Sequence, residues 1–337
     1  MIVLSTFHSP ALHKFSRNIV SQSKRFLSSA EIIARQSKLF SAEQKRQYEN
    51  LGRIEKIEVN YIGVPENTAL VMNKNLSTPY NCAQHLGETH CQRSALALLD
   101  GTIPWDMHRP LPNSCTLELL NFTVEDPRHV NKAFWRTCSF MLGAALTTAF
   151  KESAKLNLHS FPTPSVRSGS FVYDFSIAAP DFKPTKQEMR AFSAEMIKLA
   201  AKDLKIERLD VSHDVALEIF EYNPFKREQL PSISNQNDGV VTLYRAGDHI
   251  DISRGPMVAT TRHLGKCTIA AIHKLECPDM EGVNMYRAQG VALPLGLHLN
   301  HFAFGVLEER ARKLNNARLP NEQFAEEPEK ESKKALL

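Results

Sequence analysis

DISRGPMV, residues 251–258, is the stretch of sequence on which the interpretation of this chain depends. Its centre, Arg254-Gly255-Pro256, predicts a rigid turn, because proline fixes its own backbone and glycine permits conformations closed to other residues. Ser253 precedes the turn and Met257 follows it, and neither a hydroxyl nor a thioether is a strong metal ligand or a general base. The stretch therefore belongs either to an enzyme with unusual ligands or to a protein that has an enzyme's shape without its chemistry.

Around this turn the sequence alternates between helix and strand patterns. The clearest helix is predicted over residues 131–155, where apolar residues recur at intervals of three and four. Residues 170–177 alternate as in a strand, which places Phe171, Tyr173, Phe175 and Ile177 on one face. A capping box at 185–188 predicts a helix that runs to about residue 204. Further helices are predicted at 216–222 and 298–314, and further strands at 240–244 and 249–252.

A smaller mixed unit is predicted upstream, over residues 55–123. Ile57, Val59 and Tyr61 alternate with polar residues, which indicates a strand. Strands are also predicted at 69–72, 96–99 and 116–122, with a tight turn at Asp100-Gly101 and a helical segment over 78–93. Both units combine helix and strand patterns, and the predicted fold class is α+β.

The two ends of the chain differ from these units in composition. Residues 1–30 contain four basic residues, seven serines and no acid, which is typical of a mitochondrial transit peptide cleaved near Leu27-Ser28. The alternative is a basic disordered tail. Residues 31–54 predict a helical arm, polar on most faces, that leans on a partner or remains loose. Residues 315–337 are charged and almost free of apolar pairs, so we expect a disordered tail.

Charge and motif content exclude several classes of function. The net charge is +4, and residues 1–30 account for all of it, so the remainder is near neutral and any RNA contacts should be local. No apolar run reaches the roughly 20 residues of a membrane span, which predicts a soluble protein. Serine-hydrolase, P-loop and Rossmann signatures are absent from the sequence. The six cysteines form no C-x-x-C pair, so free, packed thiols are expected.

One segment contains residue types that bind zinc: Cys82, His85, His90 and Cys91. On a helix Cys82 and His85 share a face, but Cys91 points to the opposite side, so we interpret the set as packed thiols and surface histidines. His298 and His301 are spaced to share a helix face, yet no carboxylate or cysteine accompanies them. The scattered histidines are therefore interpreted as polar side chains with hydrogen-bond partners, and no metal site is expected.

Five stretches occur in an order that resembles threonyl-tRNA synthetases. They are FWRTCSFMLGAAL (134–146), SGSFVYDFS (168–176), ALEIF (216–220), DISRGPMV (251–258) and QGVAL (289–293). They resemble the editing domain, or second additional domain, which alanyl-tRNA synthetases share. LLDGTIPWDM (98–107) resembles the strand, turn and strand of the small TGS domain that precedes it. The resemblance implies a β-grasp-like TGS domain at 55–123, followed by an editing-type α+β domain at 124–314.

The same resemblance identifies four positions of the editing pocket. Active members carry two histidines four residues apart on the long helix, and a cysteine and a histidine that flank Arg-Gly-Pro. The matching positions here hold Arg136, Phe140, Ser253 and Met257. A guanidinium, a phenyl ring, an alcohol and a thioether supply no group that accepts a proton near pH 7. We therefore expect a degenerate pocket with no catalysis, no cofactor and no metal.

A narrower resemblance concerns the assembly in which the chain works. MNKNLSTPY (72–80), PWDM (104–107) and ALEIF are similar to threonyl-tRNA-synthetase-like proteins of the mitochondrial large ribosomal subunit. The resemblance implies a structural, non-enzymatic role in the mitochondrial matrix, with ribosomal proteins and large-subunit rRNA as partners and no obligate homo-oligomer. The residues expected to contact them are Arg310, Arg312, Lys313 and Arg318. The synthetase's aminoacylating domain has no counterpart in these residues, so amino-acid activation is not expected.

Two other functions remain open at this point. One is a free-standing mitochondrial deacylase that removes a wrong amino acid from tRNA, against which the four replaced positions argue. The other is a tRNA-binding factor that recognises tRNA without chemistry, against which the near-neutral charge argues.

Overall fold

The protein is described from a computed structural model over residues 27–179, 181–277, 280 and 282–317. Most of the predicted transit peptide and the tail from Arg318 onward lie outside the described residues. Asn315, predicted as the start of the disordered tail, is instead buried. Its side chain donates to the Ser170 hydroxyl at 2.9 Å and to the Ser170 carbonyl at 3.0 Å, which fixes the chain at this point.

The described residues form helices and strands in mixed order. The helices are α1 (Ser29–Glu49), α2 (Pro79–Leu86), α3 (Glu88–Arg93), α4 (Arg128–Ala149), α5 (Lys186–Ala201), α6 (His213–Ile219), α7 (Pro224–Asn235) and α8 (His301–Arg312). The strands are β1 (Lys56–Tyr61), β2 (Thr68–Asn73), β3 (Leu96–Leu99), β4 (Ile103–Trp105), β5 (Cys115–Leu120), β6 (Asn157–Ser160), β7 (Phe171–Ser176), β8 (Ile206–Ser212), β9 (Val240–Ala246), β10 (His249–Ile252), β11 (Leu264–Leu275) and β12 (Met285–Pro294). This is the mixed α+β architecture that the sequence predicts.

The strands form three sheets. The first has the order β2-β1-β5-β3-β4, with β1 and β5 parallel and the other pairs antiparallel. The second has the order β10-β9-β8 and the third β11-β12-β7-β6, and all their pairs are antiparallel. α4 and α5 pack on the third sheet and contribute most helical residues of the largest apolar cluster. Among the described residues, no helix is both long enough and apolar enough to cross a membrane.

The N-terminal arm is folded onto the chain, which corrects the expectation of an arm that leans on a partner or remains loose. α1 begins with a capping box at Ser28 and Glu31, and it packs on α6 and on the second sheet. Phe40 is fully buried among apolar residues of these elements, and the Arg245 guanidinium lies 4.3 Å from its ring centroid. The packing of α1 could not be predicted because the helix is polar at most positions. One large buried ring, that of Phe40, is enough to attach it to the chain.

We expect Phe40→Ala to lower the free energy of unfolding by about 3 kcal/mol, because the substitution removes a buried ring and leaves a cavity. Tyr48→Ala is the matched control on the same helix, since Tyr48 is 61% exposed. Urea unfolding of the full chain, followed by circular dichroism, measures both. Equal midpoints for the two variants would contradict the packing of α1 described above.

The helical segment predicted over 78–93 is divided in two. Thr78 and Asn81 form a capping box that begins α2. Gly87 then adopts a φ of 132°, a conformation that side-chain-bearing residues rarely reach, so α2 ends there and α3 begins. Cys82 lies in the core of the first unit, where burial raises the pKa of its thiol to about 12. Because the helix breaks at Gly87, Cys82 and His85 lie on α2 whereas His90 and Cys91 lie on α3. The prediction that Cys91 points away from Cys82 assumed one continuous helix.

Candidate functional site

The four positions matched to the editing pocket lie on two segments that face each other. α4 carries Arg136 and Phe140, and the loop after β10 carries Ser253 and Met257. The Arg136 guanidinium donates to the Pro256 carbonyl at 2.9 Å. Close by, the Val258 amide donates to the Thr137 hydroxyl at 3.1 Å. These two bonds hold helix and loop together.

The turn between Ser253 and Met257 depends on its glycine. Gly255 has a φ of 71°, and a Cβ at this position would lie 1.8 Å from the Tyr244 hydroxyl oxygen. The Ser253 hydroxyl accepts a hydrogen bond from the Gly255 amide at 3.4 Å, so it braces the turn. The rigid turn predicted from Arg254-Gly255-Pro256 is thus held by close packing.

Phe140 and Met257 fill the interior of the site with apolar side chains. Phe140 is fully buried and Met257 is 1% exposed, and both belong to the largest apolar cluster. The Phe140 ring centroid lies 4.8 Å from that of His249. Neither side chain has a group that could take up a proton or bind a hard metal ion. The space between helix and loop is therefore occupied by packed side chains.

Arg136 is a buried cation, and burial lowers the pKa of its guanidinium. A guanidinium donates hydrogen bonds only, and it stays protonated at neutral pH. Its described bond goes to the Pro256 carbonyl. At this position Arg136 can hold the loop but cannot act as a general base.

The first sheet's unit contributes a carboxylate to this region. Asp106 follows β4 and accepts hydrogen bonds from the Tyr244 hydroxyl at 2.9 Å and from the Met257 amide at 2.8 Å. The Arg208 guanidinium lies 3.6 Å from the same carboxylate. Burial raises the pKa of Asp106, and the Arg208 charge opposes that rise. Sequence reasoning quoted this residue within PWDM but gave it no role, because its partners lie more than 100 residues away.

A second buried polar cluster lies behind the loop, and sequence reasoning missed it. The Lys226 ammonium contacts the Asp251 carboxylate, to which the Tyr173 hydroxyl also donates a hydrogen bond. The Asp251 carboxylate further accepts the Ile252 amide at 2.7 Å. All three side chains of the cluster Lys226, Asp251 and Tyr173 are buried. The only sequence signal was an acid in the middle of a short apolar strand.

His249 beside this cluster corrects the interpretation of the histidines. Burial lowers the pKa of His249 to about 4. Its Nε2 atom is buried without a hydrogen-bond partner in the described structure, as are the Nε2 atoms of His108 and His213. The sequence interpretation that the scattered histidines have hydrogen-bond partners is therefore wrong for the Nε2 atoms of His213 and His249.

Loss of the Lys226 charge should destabilise the fold. We expect Lys226→Met to lower the free energy of unfolding by about 3 kcal/mol, the lower end for a broken buried ion pair, because Tyr173 and Ile252 still donate to Asp251. Arg227→Met, on the neighbouring exposed position of α7, is the matched control. Chemical unfolding at pH 7 measures both. A Lys226→Met variant as stable as the control would contradict the assignment of this pair.

Three of the four residues predicted to contact ribosomal partners lie at the end of α8 or directly after it: Arg310, Arg312 and Lys313. The Arg310 guanidinium donates to the Arg167 carbonyl, and Arg312 pairs with Glu309. Lys313 is exposed, and its carbonyl accepts from the Gln289 amide at 2.7 Å. Arg318 lies outside the described residues. Two of the four side chains are thus engaged within the chain, and the contact assignment stays a prediction.

Comparison with known proteins gives two groups of relatives, while no protein-family model matches the chain. The chain is 63% identical over 302 residues to the large ribosomal subunit protein mL39 of Drosophila melanogaster, and the match covers 90% of each chain. It is 30% identical over 224 residues to threonine–tRNA ligase 2, cytoplasmic, of Homo sapiens, which is 65% of this chain and 25% of the ligase. It is 32% identical over 185 residues to threonine–tRNA ligase of Thermotoga maritima, covering 55% of this chain and 26% of that protein. The chain thus spans about a quarter of the length of these two ligases.

Proposed function

The chain belongs to the family of the large ribosomal subunit protein mL39, and from this membership we propose that it is a non-catalytic structural constituent of the mitochondrial large ribosomal subunit. The observation that carries the proposal is 63% identity over 90% of both chains. Identity of this extent reaches well beyond one domain, so it includes surfaces as well as core. The proposed place of work is the mitochondrial matrix.

The proposed domain organisation follows the weaker relatives. Residues 55–123 form a TGS domain and residues 124–314 an editing-type domain that has lost its chemistry. Identity with threonine–tRNA ligases over 185 to 224 residues supports a likeness to parts of those proteins, and the proposed division rests on the resemblance of the motifs. The first sheet contains the parallel β1–β5 pair expected of a β-grasp-like unit. Residues 1–30 are proposed to be a transit peptide.

The chemistry of the four matched positions supports the non-catalytic role. Hydrolysis of an ester bond needs a group that activates water, and such a group must accept a proton near the working pH. Arg136 stays charged, Phe140 and Met257 are packed as core, and the Ser253 hydroxyl braces the turn. These residues stabilise the loop that in an active editing domain would carry ligands. The fold is kept as a scaffold for assembly.

The proposed partners are ribosomal proteins and large-subunit rRNA of the mitochondrion. The near-neutral charge outside residues 1–30 favours local RNA contacts, with protein neighbours supplying much of the interface. Arg310, Arg312, Lys313 and Arg318 are the residues proposed for such contacts. The chain acts as one copy in a larger assembly and needs no homo-oligomer.

Sedimentation of mitochondrial lysate tests the proposal. Under conditions that keep ribosomes intact, the tagged full-length chain is expected to travel with the large subunit. It should leave that fraction when the particle is dissociated. Recovery mainly as a free monomer under the first condition would overturn the proposed function.

A further inference from the structure

An open apolar cleft lies where β11 begins and β12 ends. Its volume is about 570 Å³. Its lining is mostly aliphatic and includes Ile197, Leu264, Leu293, Leu295, Leu297 and Leu299. Four of these six expose more than a third of their surface, and Leu295 is 55% exposed. The cleft is thus a concave surface whose walls are leucine-rich and open to solvent.

Further exposed apolar side chains lie on α8, which begins directly after the cleft. Phe304 and Ala311 point inward and pack on β12, as does Leu307 in part. Phe302 and Val306, one turn apart, lie on the other side of the helix. Phe302 is 82% exposed, the highest value for a large apolar side chain among the described residues. Large exposed apolar side chains grouped beside a cleft indicate an interaction surface.

The rim of the cleft carries positive charge. The Lys266 ammonium lies 3.8 Å from the Phe304 ring centroid, and Lys266 itself is exposed at the edge of the cleft. Lys202, next to the cleft residue Ala201, is also exposed. The charges of Arg262 and Asp203 cancel, because their charged groups lie 3.5 Å apart. The apolar walls are therefore flanked by two lysines, which favour carboxylates on whatever binds there.

We propose that this cleft receives the apolar face of an amphipathic helix, flanked by acidic residues, from a neighbouring protein of the large subunit. The inference rests on the proposed function. Helix-in-groove recognition places apolar anchors spaced one turn apart in a hydrophobic groove, and this leucine-walled cleft offers such a groove. RNA is a poorer fit, because phosphates need several cationic donors and the walls offer leucines.

Zero-length crosslinking of isolated large subunits tests the identity of the occupant. A carbodiimide joins a lysine ammonium to a carboxylate that touches it, and peptide sequencing then identifies both sides. We expect Lys266 or Lys202 joined to Asp or Glu of a different protein, within a segment whose apolar residues recur at helical spacing. Joining to residues 318–337 of this chain or to a second copy would overturn the inference, as would ultraviolet crosslinking of Phe302 to RNA. So would full reactivity of Lys266 toward an amine reagent within the particle.

Incorporation of tagged variants into the large subunit, measured in cells that also make the untagged wild type, tests how much the cleft contributes to binding. Tagged full-length Leu297→Asp and Phe302→Asp are expected to enter the large subunit at least about tenfold less than the wild type, as for loss of an interface anchor. Val71→Asp is the control, because Val71 is 70% exposed on β2, in a different sheet. Thermal unfolding confirms that all three variants fold. Incorporation equal to that of the control would overturn the inference, whereas loss of the wild type itself from the particle would overturn the proposed function.

Discussion

Arg287→Met is expected to lower the free energy of unfolding by about 4–6 kcal/mol, which combines a broken buried ion pair with the loss of two hydrogen bonds to backbone carbonyls. Arg287 is fully buried on β12, and two of its nitrogens lie 2.7 Å from the Asp174 carboxylate oxygens. Its remaining described bonds go to the carbonyls of Asn315 and Ala317, at 2.6 and 2.8 Å. The substitution leaves Asp174 buried without its guanidinium and releases the segment after α8.

The matched control for this prediction is Arg128→Met. Arg128 also binds an aspartate through two nitrogens, with 2.6 Å between its Nη2 and Asp126 Oδ2, but the pair is exposed. Screening by water leaves such a pair with little effect on stability. Urea unfolding at pH 7 compares the two variants. Equal unfolding midpoints would show that Arg287 does not hold β7, β12 and the end of α8 together.

Mild acid should destabilise the protein by about 5–6 kcal/mol between pH 7 and pH 5, or roughly 2 kcal/mol for each of three histidines whose rings are buried or half-buried. Burial lowers the pKa of His108, His249 and His263 to about 4 in the folded chain, from an ordinary value of 6.5. Below pH 6.5 the unfolded chain therefore binds protons that the folded chain does not. The stability these histidines contribute is complete above about pH 6.5, and it is lost as the pH falls toward 4.

His263→Gln separates this effect from the titration of other groups. The variant should lose about one third of the dependence on pH between 7 and 5, since one of three histidines no longer titrates. His85→Gln serves as the control, because His85 is exposed on α2. Free energies of unfolding at pH 7, 6 and 5 give the slopes. A wild-type protein whose stability is constant over this range would contradict the lowered pKa values of the three histidines.

Local sequence patterns predicted the elements whose burial is one-sided. β1 alternates as expected, with Ile57, Val59 and Tyr61 buried and the residues between them exposed. The capping box at Thr185 and Glu188 begins α5 as predicted. In these elements the burial of each residue depends on its neighbours in sequence. Periodicity and capping residues are therefore enough to predict the element.

β12 shows why other elements could not be predicted. Nearly every residue of this strand is buried, so its sequence has no alternation. It also carries Arg287 and Gln289, which read as surface residues because the groups that pair with them lie elsewhere in the chain. β7 was predicted to bury one face, yet both faces are buried and Asp174 is in the core. α7 was missed because Pro231 lies inside it and its apolar content is low.

Some residues of the candidate site could likewise be predicted from sequence, and others could not. Arg136, Phe140, Ser253 and Met257 could be named from sequence because motif order resembled a known family. The structure adds that Arg136 and Ser253 form bonds that hold the loop. Asp106 and Lys226 had no local signal, since their partners Met257 and Asp251 are reached only through folding. Residue types alone do not reveal which buried charges will meet.

The central claim is that the pocket holds its shape and has no hydrolytic chemistry. Its most direct test uses threonine tRNA that is mischarged with serine. The measurement is the rate at which the purified full-length chain hydrolyses the ester bond between the serine and the tRNA at pH 7. The account predicts a rate equal to that of the spontaneous reaction in buffer, even with protein in excess. An acceleration that the Ser253→Ala variant abolishes would contradict it.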